Sequence, residues 1–197
     1  MKRLFDFIAS FYGLILLAPI FVLVALWIKI DSSGPIFFRQ DRVGFQGTLF
    51  RIHKFRTMVS DAEKERKQIT VGADSRITNV GSFLRKYKLD ELPQLIDVLV
   101  GDMSLVGPRP EVPKYIDCYS DDEKHEVLSV RPGITDNASI EFRDESELLS
   151  MSKDPEATYI NEVLPKKIAL YRKYVREHSF FGDVGIIFKT IFRVTIR

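Results

Sequence analysis

Apolar residues run almost without interruption from Leu4 to Ile28, LFDFIASFYGLILLAPIFVLVALWI, with Asp6 as the single charge. Lys2 and Arg3 precede the run, and Lys29 and Asp31 close it. About 20 apolar residues suffice to cross a bilayer as a helix, and so uniform a stretch suits lipid better than a soluble core. A cleavable signal peptide would have a shorter apolar stretch and a small-residue cleavage site. Pro19 removes a backbone donor and crowds the preceding turn. Two shapes follow: a kinked helix that spans, or a helix–break–helix that enters and leaves on one face. Basic residues flank both ends, which favours both being cytoplasmic.

After residue 31 the pattern changes to short alternations and amphipathic periods. SSGPIFFRQDRVGFQG predicts a turn, a strand and a turn, and TLFRIHKFRT a second extended segment carrying Arg51, Lys54 and Arg56. SDAEKERKQ predicts a short solvated helix capped by Ser60 or Asp61. TNVGSFLRKY predicts a helix capped by Thr78 or Asn79. LDELPQLIDVLVGD predicts another, with Leu92, Leu95, Ile96 and Leu99 at core spacing and Gly101 as its stop. GDMSLVGPRPEVP reads as a rigid loop and SVRPGIT as a second Pro/Gly turn, followed by the amphipathic helix EVLPKKIALYRKYVREH. In the tail 180–197, Lys189, Arg193 and Arg197 recur every four residues among Ile and Phe. That period predicts a helix packed on the domain or lying on an anionic membrane surface.

The expected fold class is therefore mainly α with a small β element (α+β). A membrane segment, 1–31, precedes one cytosolic domain, 32–197, large enough for a single core. The formal charge of +2 and the lack of a continuous basic tract argue against a nucleic-acid partner. Cys118 is the only cysteine, which excludes an internal disulfide, and His53, His125 and His178 show no metal-ligand spacing.

KLDELPQL, 88–95, sets Asp90 directly beside Glu91 with Pro93 close behind. As an N-cap, Asp90 would place Glu91 at the first helical position and Pro93 in the first turn. Such a helix start stabilises carboxylates and attracts phosphate. Asp90 as a plain cap is the competing reading. The cations nearby in sequence, Lys54, Arg56, Arg85, Lys86, Lys88 and Arg109, fit phosphate recognition and phosphoryl transfer instead.

KFRTM, LDELPQL, GDMSLVGPRP, RPGIT and SFFGD occur in this order behind the apolar segment. Together they resemble the bacterial sugar transferase family, small monotopic phosphoglycosyl transferases that initiate glycan assembly on a polyprenol phosphate. The resemblance covers nearly the whole chain. It implies that Asp90 is the nucleophile on the β-phosphate of a UDP-sugar, releasing UMP, and that Glu91 deprotonates or orients the incoming polyprenol phosphate (undecaprenyl phosphate). It also implies Mg²⁺ near Asp90, and Lys54, Arg85, Arg109, Arg131 and Asp183 around the diphosphate, the nucleotide or the dyad. It further implies a re-entrant helix broken near Pro19, holding the active site at the cytoplasmic face of the bacterial inner membrane among its lipids. Two departures stand out: Ala18 where members often carry Ser, and DNASIEFRDE after RPGIT, a segment expected to bear on sugar recognition. The sugar, the glycan pathway (an exopolysaccharide among several) and the oligomeric state, monomer or homodimer, stay open. A membrane-tethered scaffold with a basic lipid-facing surface is the non-catalytic alternative.

Overall fold

The computed structural model describes residues 1–59, 71, 72 and 74–195; the helix expected over 60–68 lies outside them. Helix α1, Lys2–Asp31, is about 45 Å long at 1.5 Å per residue. It is the one described helix long and apolar enough to cross a membrane, and only 11% of its most apolar stretch is buried in the protein. A core helix of a soluble domain would be covered, so α1 associates the protein with a membrane. The expected break at Pro19 is corrected here: the helix continues through the proline. One missing donor and one crowded turn can bend a helix without ending it.

Polar residues at the start of α1 fasten it to the domain. Asp6, the lone charge of the apolar run, is buried and accepts from Ser104 Oγ at 2.7 Å. Arg3 donates to the carbonyls of Val98 at 2.7 Å and Met103 at 3.3 Å.

Strands β1, Phe37–Val43, and β2, Leu49–Phe55, pair antiparallel with Phe38 opposite Lys54 and Arg42 opposite Phe50. Helix α2, Asn79–Lys86, is capped by Thr78, whose side chain accepts from the Gly81 amide. Its apolar side, Val80 and Leu84, packs with Val24 and Ile28 of α1 and Phe55 of β2. A 3₁₀ turn, Leu89–Glu91, leads to α3, Gln94–Val100, which Gly101 ends in the left-handed conformation at φ 105°. The leucines expected to be core are only half-buried; Gln94, Asp97 and Val98 take the inward face.

Two segments expected to be loop and turn pair as short parallel strands, β3, Ser104–Val106, and β4, Gly133–Thr135. A Cβ on Gly133 would lie 2.1 Å from the Gly107 nitrogen, so the two backbones meet only because neither residue has a side chain there.

Short helices α4, Pro113–Ile116, α5, Asp121–Val127, α6, Asn137–Glu141, α7, Glu145–Ser150, and α8, Pro155–Thr158, surround the long α9, Leu164–Glu177. A π-helical turn, Tyr159–Val163, leads into α9, and the main core joins Tyr115, Tyr159, Leu164, Ile168 and Tyr171. Helix α10, Phe180–Thr195, buries Asp183 and Ile186 yet exposes Phe181, Phe188, Ile191 and Phe192. It is thus packed on the domain along one side and apolar toward solvent on another.

Candidate active site

Lys88, in the left-handed conformation at φ 55°, turns the chain sharply from α2 into the 3₁₀ turn. The turn presents Asp90 and Glu91 to a cleft of about 1660 Å³. Asp90 is not the expected helix cap: α3 begins after Pro93, and no side-chain capping bond is made at either start. Tertiary packing of the turn between α2 and α3 overrides the local capping signal. Asp90 is 7% exposed, and among the described residues its Oδ1 has no hydrogen-bond partner. A buried carboxylate oxygen without a partner is costly unless a ligand completes it. Burial, and then the neighbouring Glu91, push the Asp90 carboxyl above the ordinary carboxylate range.

Glu91 has the opposite environment. Lys54 Nζ donates to its Oε1 at 2.8 Å, and Arg109 donates to both its oxygens. Burial works to raise its pKa, but Arg109 and then Lys54 outweigh it and hold the carboxyl well below its usual value. The adjacent acids are thus driven apart, one toward the proton and one away from it, which is the environmental sorting expected of two carboxyls with different roles. Lys54 reaches the site because β2 alternates: Phe50, Ile52 and Lys54 share a face. Arg109 comes from the loop after β3, which Gly133 N fastens to the Pro108 carbonyl at 2.9 Å.

Burial lowers the Lys54 pKa to about 8, with Glu91 opposing the shift. The Glu91 clamp should therefore weaken as pH rises through that value, giving an alkaline limb of activity. Lys54→Arg, which stays charged, should move this limb to higher pH; a pH–rate profile of UMP release reads it. Stability has the other sign. The unfolded lysine near 10.5 holds its proton longer than the folded one, so this group favours folding increasingly from about 8 to 10.5.

The other residues singled out from sequence divide. Arg85 lines the cleft and donates to Thr57 Oγ1 at 2.9 Å. A close approach of α2 makes this possible, since a Cβ on Gly81 would fall 2.0 Å from the Thr57 carbonyl oxygen. Arg131 is placed elsewhere: it donates to the Gly101 carbonyl at 2.8 Å and lies over the Phe45 ring. Asp183 also stands away from the cleft, paired with Lys2 and accepting from Tyr174 Oη at 2.9 Å, so it ties α1, α9 and α10 together. Arg42 and Lys167 are cleft-lining cations that sequence reasoning missed. Arg42 shares the Lys54 face through strand register, and it holds the Pro110 carbonyl at 3.0 Å. Only its alternation within FFRQDRV pointed to it. Lys167, paired with Glu145, sits on a helix whose charges otherwise read as solvent-facing.

Among the described residues no group of three His, Cys, Asp or Glu side chains could hold a metal ion. Mg²⁺ commonly needs only one or two carboxylates plus substrate phosphates. The unpartnered Asp90 Oδ1 in a cation-lined cleft fits that donor set.

Paired carboxyls and cations from three separate segments line one cleft, in a protein whose first helix associates it with a membrane. The model of the family "Bacterial sugar transferase" matches residues 1–197, and the chain belongs to that family. It is 38% identical over 98% of its length to an Escherichia coli UDP-glucose:undecaprenyl-phosphate glucose-1-phosphate transferase, covering 40% of that protein. It is 37% identical over 97% of its length to an Aeromonas hydrophila UDP-N-acetylgalactosamine-undecaprenyl-phosphate N-acetylgalactosaminephosphotransferase, covering 43% of it. Similarity to the exopolysaccharide production protein ExoY of Rhizobium meliloti is 34% identity over 96% of the chain and 83% of that protein. The chain spans about two fifths of the length of the first two.

Proposed function

We propose that the protein transfers a sugar 1-phosphate from a UDP-sugar to undecaprenyl phosphate, giving the diphosphate-linked sugar and UMP. The observation that carries the reading is the buried, unpartnered Asp90 oxygen facing the cleft beside a carboxyl held ionised by Lys54 and Arg109. In the first step an Asp90 oxygen bonds to the β-phosphorus of the UDP-sugar. The bond from that phosphorus to the bridging oxygen breaks, and UMP leaves with the electron pair. In the second step an oxygen of undecaprenyl phosphate attacks the same phosphorus, and the Asp90–phosphorus bond breaks to restore the carboxylate.

Asp90 is the residue that would hold Mg²⁺. When bound, the ion offsets negative charge on the diphosphate. Arg85, Lys54 and Arg109 supply the remaining positive charge. Glu91, as clamped, is a weak proton acceptor and acts first as an orienting group. Phosphate entering the cleft competes for Lys54 and Arg109, and each cation drawn away raises the proton affinity of Glu91. Helix α1 held in the inner membrane, with the domain cytosolic and α10 on the bilayer surface, would bring the dyad to the level of lipid phosphates.

The test is incubation with a panel of UDP-sugars in the absence of lipid, followed by mass spectrometry of the Asp90 peptide. A phosphosugar adduct with stoichiometric UMP is expected. Turnover on lipid without any such adduct would refute the covalent route.

A further inference from the structure

Three aromatic rings form a continuous exposed track between the membrane helix and the cleft. Trp27 of α1 lies 5.2 Å from Phe83 of α2, and Phe83 lies 4.8 Å from Tyr87, centroid to centroid. Each remains substantially open to solvent, at 44%, 42% and 38%. Val80 and Leu84, on the same face of α2, are buried against α1 and β2, whereas Phe83 and Tyr87 at the margin of that face stay open to solvent. The track ends in charge. Lys86 Nζ stands 5.5 Å from the Tyr87 ring, and Lys86, Tyr87 and Lys88 line the cleft that holds Asp90.

A surface of this kind is linear and apolar, begins on a lipid-immersed helix and finishes at cations beside the nucleophile. Its complement is a long flexible hydrocarbon with a single phosphate at one end. Isolated interfacial aromatics would anchor a protein equally well without touching one another. Continuity and the cationic end distinguish this arrangement.

We infer that Trp27, Phe83 and Tyr87 form the subsite for the phosphate-proximal isoprenoid units of the acceptor lipid, with Lys86 and Lys88 receiving its phosphate. Resting on the transferase reading, the inference adds where the lipid lies. Rings suit isoprene units, which present flat apolar faces to stack against, and the chain need not leave the bilayer to deliver its phosphate.

The first experiment needs no turnover. Wild-type protein in phosphatidylglycerol vesicles is photolabelled with a polyprenyl phosphate carrying a diazirine near the phosphate. Label is expected in the peptides bearing Trp27 and Phe83, displaced by undecaprenyl phosphate and not by additional phosphatidylglycerol. Label elsewhere on α1, or label displaced equally by both lipids, overturns the subsite. The second compares acceptors of different length. Phe83→Ala should lower kcat/KM about tenfold for undecaprenyl phosphate and less than about twofold for a short-chain prenyl phosphate. Phe83→Leu, which keeps apolar area, should recover most of the loss. Equal losses on both acceptors would mark a structural role and refute the proposal. Absence of UMP release by the wild type would instead refute the transferase reading, while the labelling pattern still reports on the lipid site.

Discussion

Asp90→Asn is expected to lower turnover at least about a thousandfold and to eliminate the phosphosugar adduct, while making the fold more stable at neutral pH. The amide is nearly the same shape but is a poor nucleophile. The stability gain follows from the direction of the Asp90 shift. Burial and Glu91 raise its pKa above 3.8 in the folded state, so the folded protein binds this proton more tightly than the unfolded chain. Below 3.8 the group is protonated in both states and costs nothing. As pH rises through the raised folded value, the ionised form increasingly opposes folding. Asparagine removes that cost and its pH dependence. Thermal unfolding of both proteins on either side of that window, beside UMP release, reads the two effects separately. Retained turnover would remove Asp90 from the mechanism, and unchanged stability at every pH would mean that its environment is not the strained one described.

Arg109→Ala carries the second large expectation: a loss of about 3–5 kcal/mol in unfolding free energy, together with loss of UMP release. Glu91 is 8% exposed, and Arg109 is its largest favourable influence. Taking Arg109 away leaves a buried carboxylate with Lys54 as its remaining close cation among the described residues. Adding Glu91→Gln to Arg109→Ala should restore most of the stability and none of the activity, since it removes the uncompensated charge and leaves the site without both groups. Denaturant midpoints for the two single variants and the double variant form the cycle. If the double variant is no more stable than Arg109→Ala, the ion pair does not explain the cost.

Asp183 and Arg131 show where motif reading and folding diverge. Both lie in recognisable motifs, yet one ties three helices together and the other satisfies the Gly101 carbonyl at the end of α3. A motif preserves the chemical type of a side chain along the sequence; it does not say whether that side chain faces the cleft or braces the wall behind it. Asp97 is the reverse case. No motif singles it out, yet its carboxylate accepts from the His53 amide at 2.8 Å and from its ring at 2.6 Å, joining α3 to the edge of β2. Nothing local could signal that pairing, because its two partners are 44 residues apart.

The sequence alone determined the long apolar helix, the two extended segments that become β1 and β2, a helix start at Thr78 or Asn79, the Gly101 stop and the adjacency of Asp90 and Glu91. Each of these depends on residues within a few positions of one another, where hydrophobic period and capping chemistry act directly. Folding decided the continuation of α1 through Pro19, the parallel pairing of β3 with β4 and the entry of Arg42 and Lys167 into the cleft. It also decided the opposite directions in which the proton affinities of the two acids are shifted. Those outcomes depend on burial and on charges brought together from distant segments, so the same pair of carboxyls carries no difference in proton affinity until Lys54 and Arg109 close on one of them.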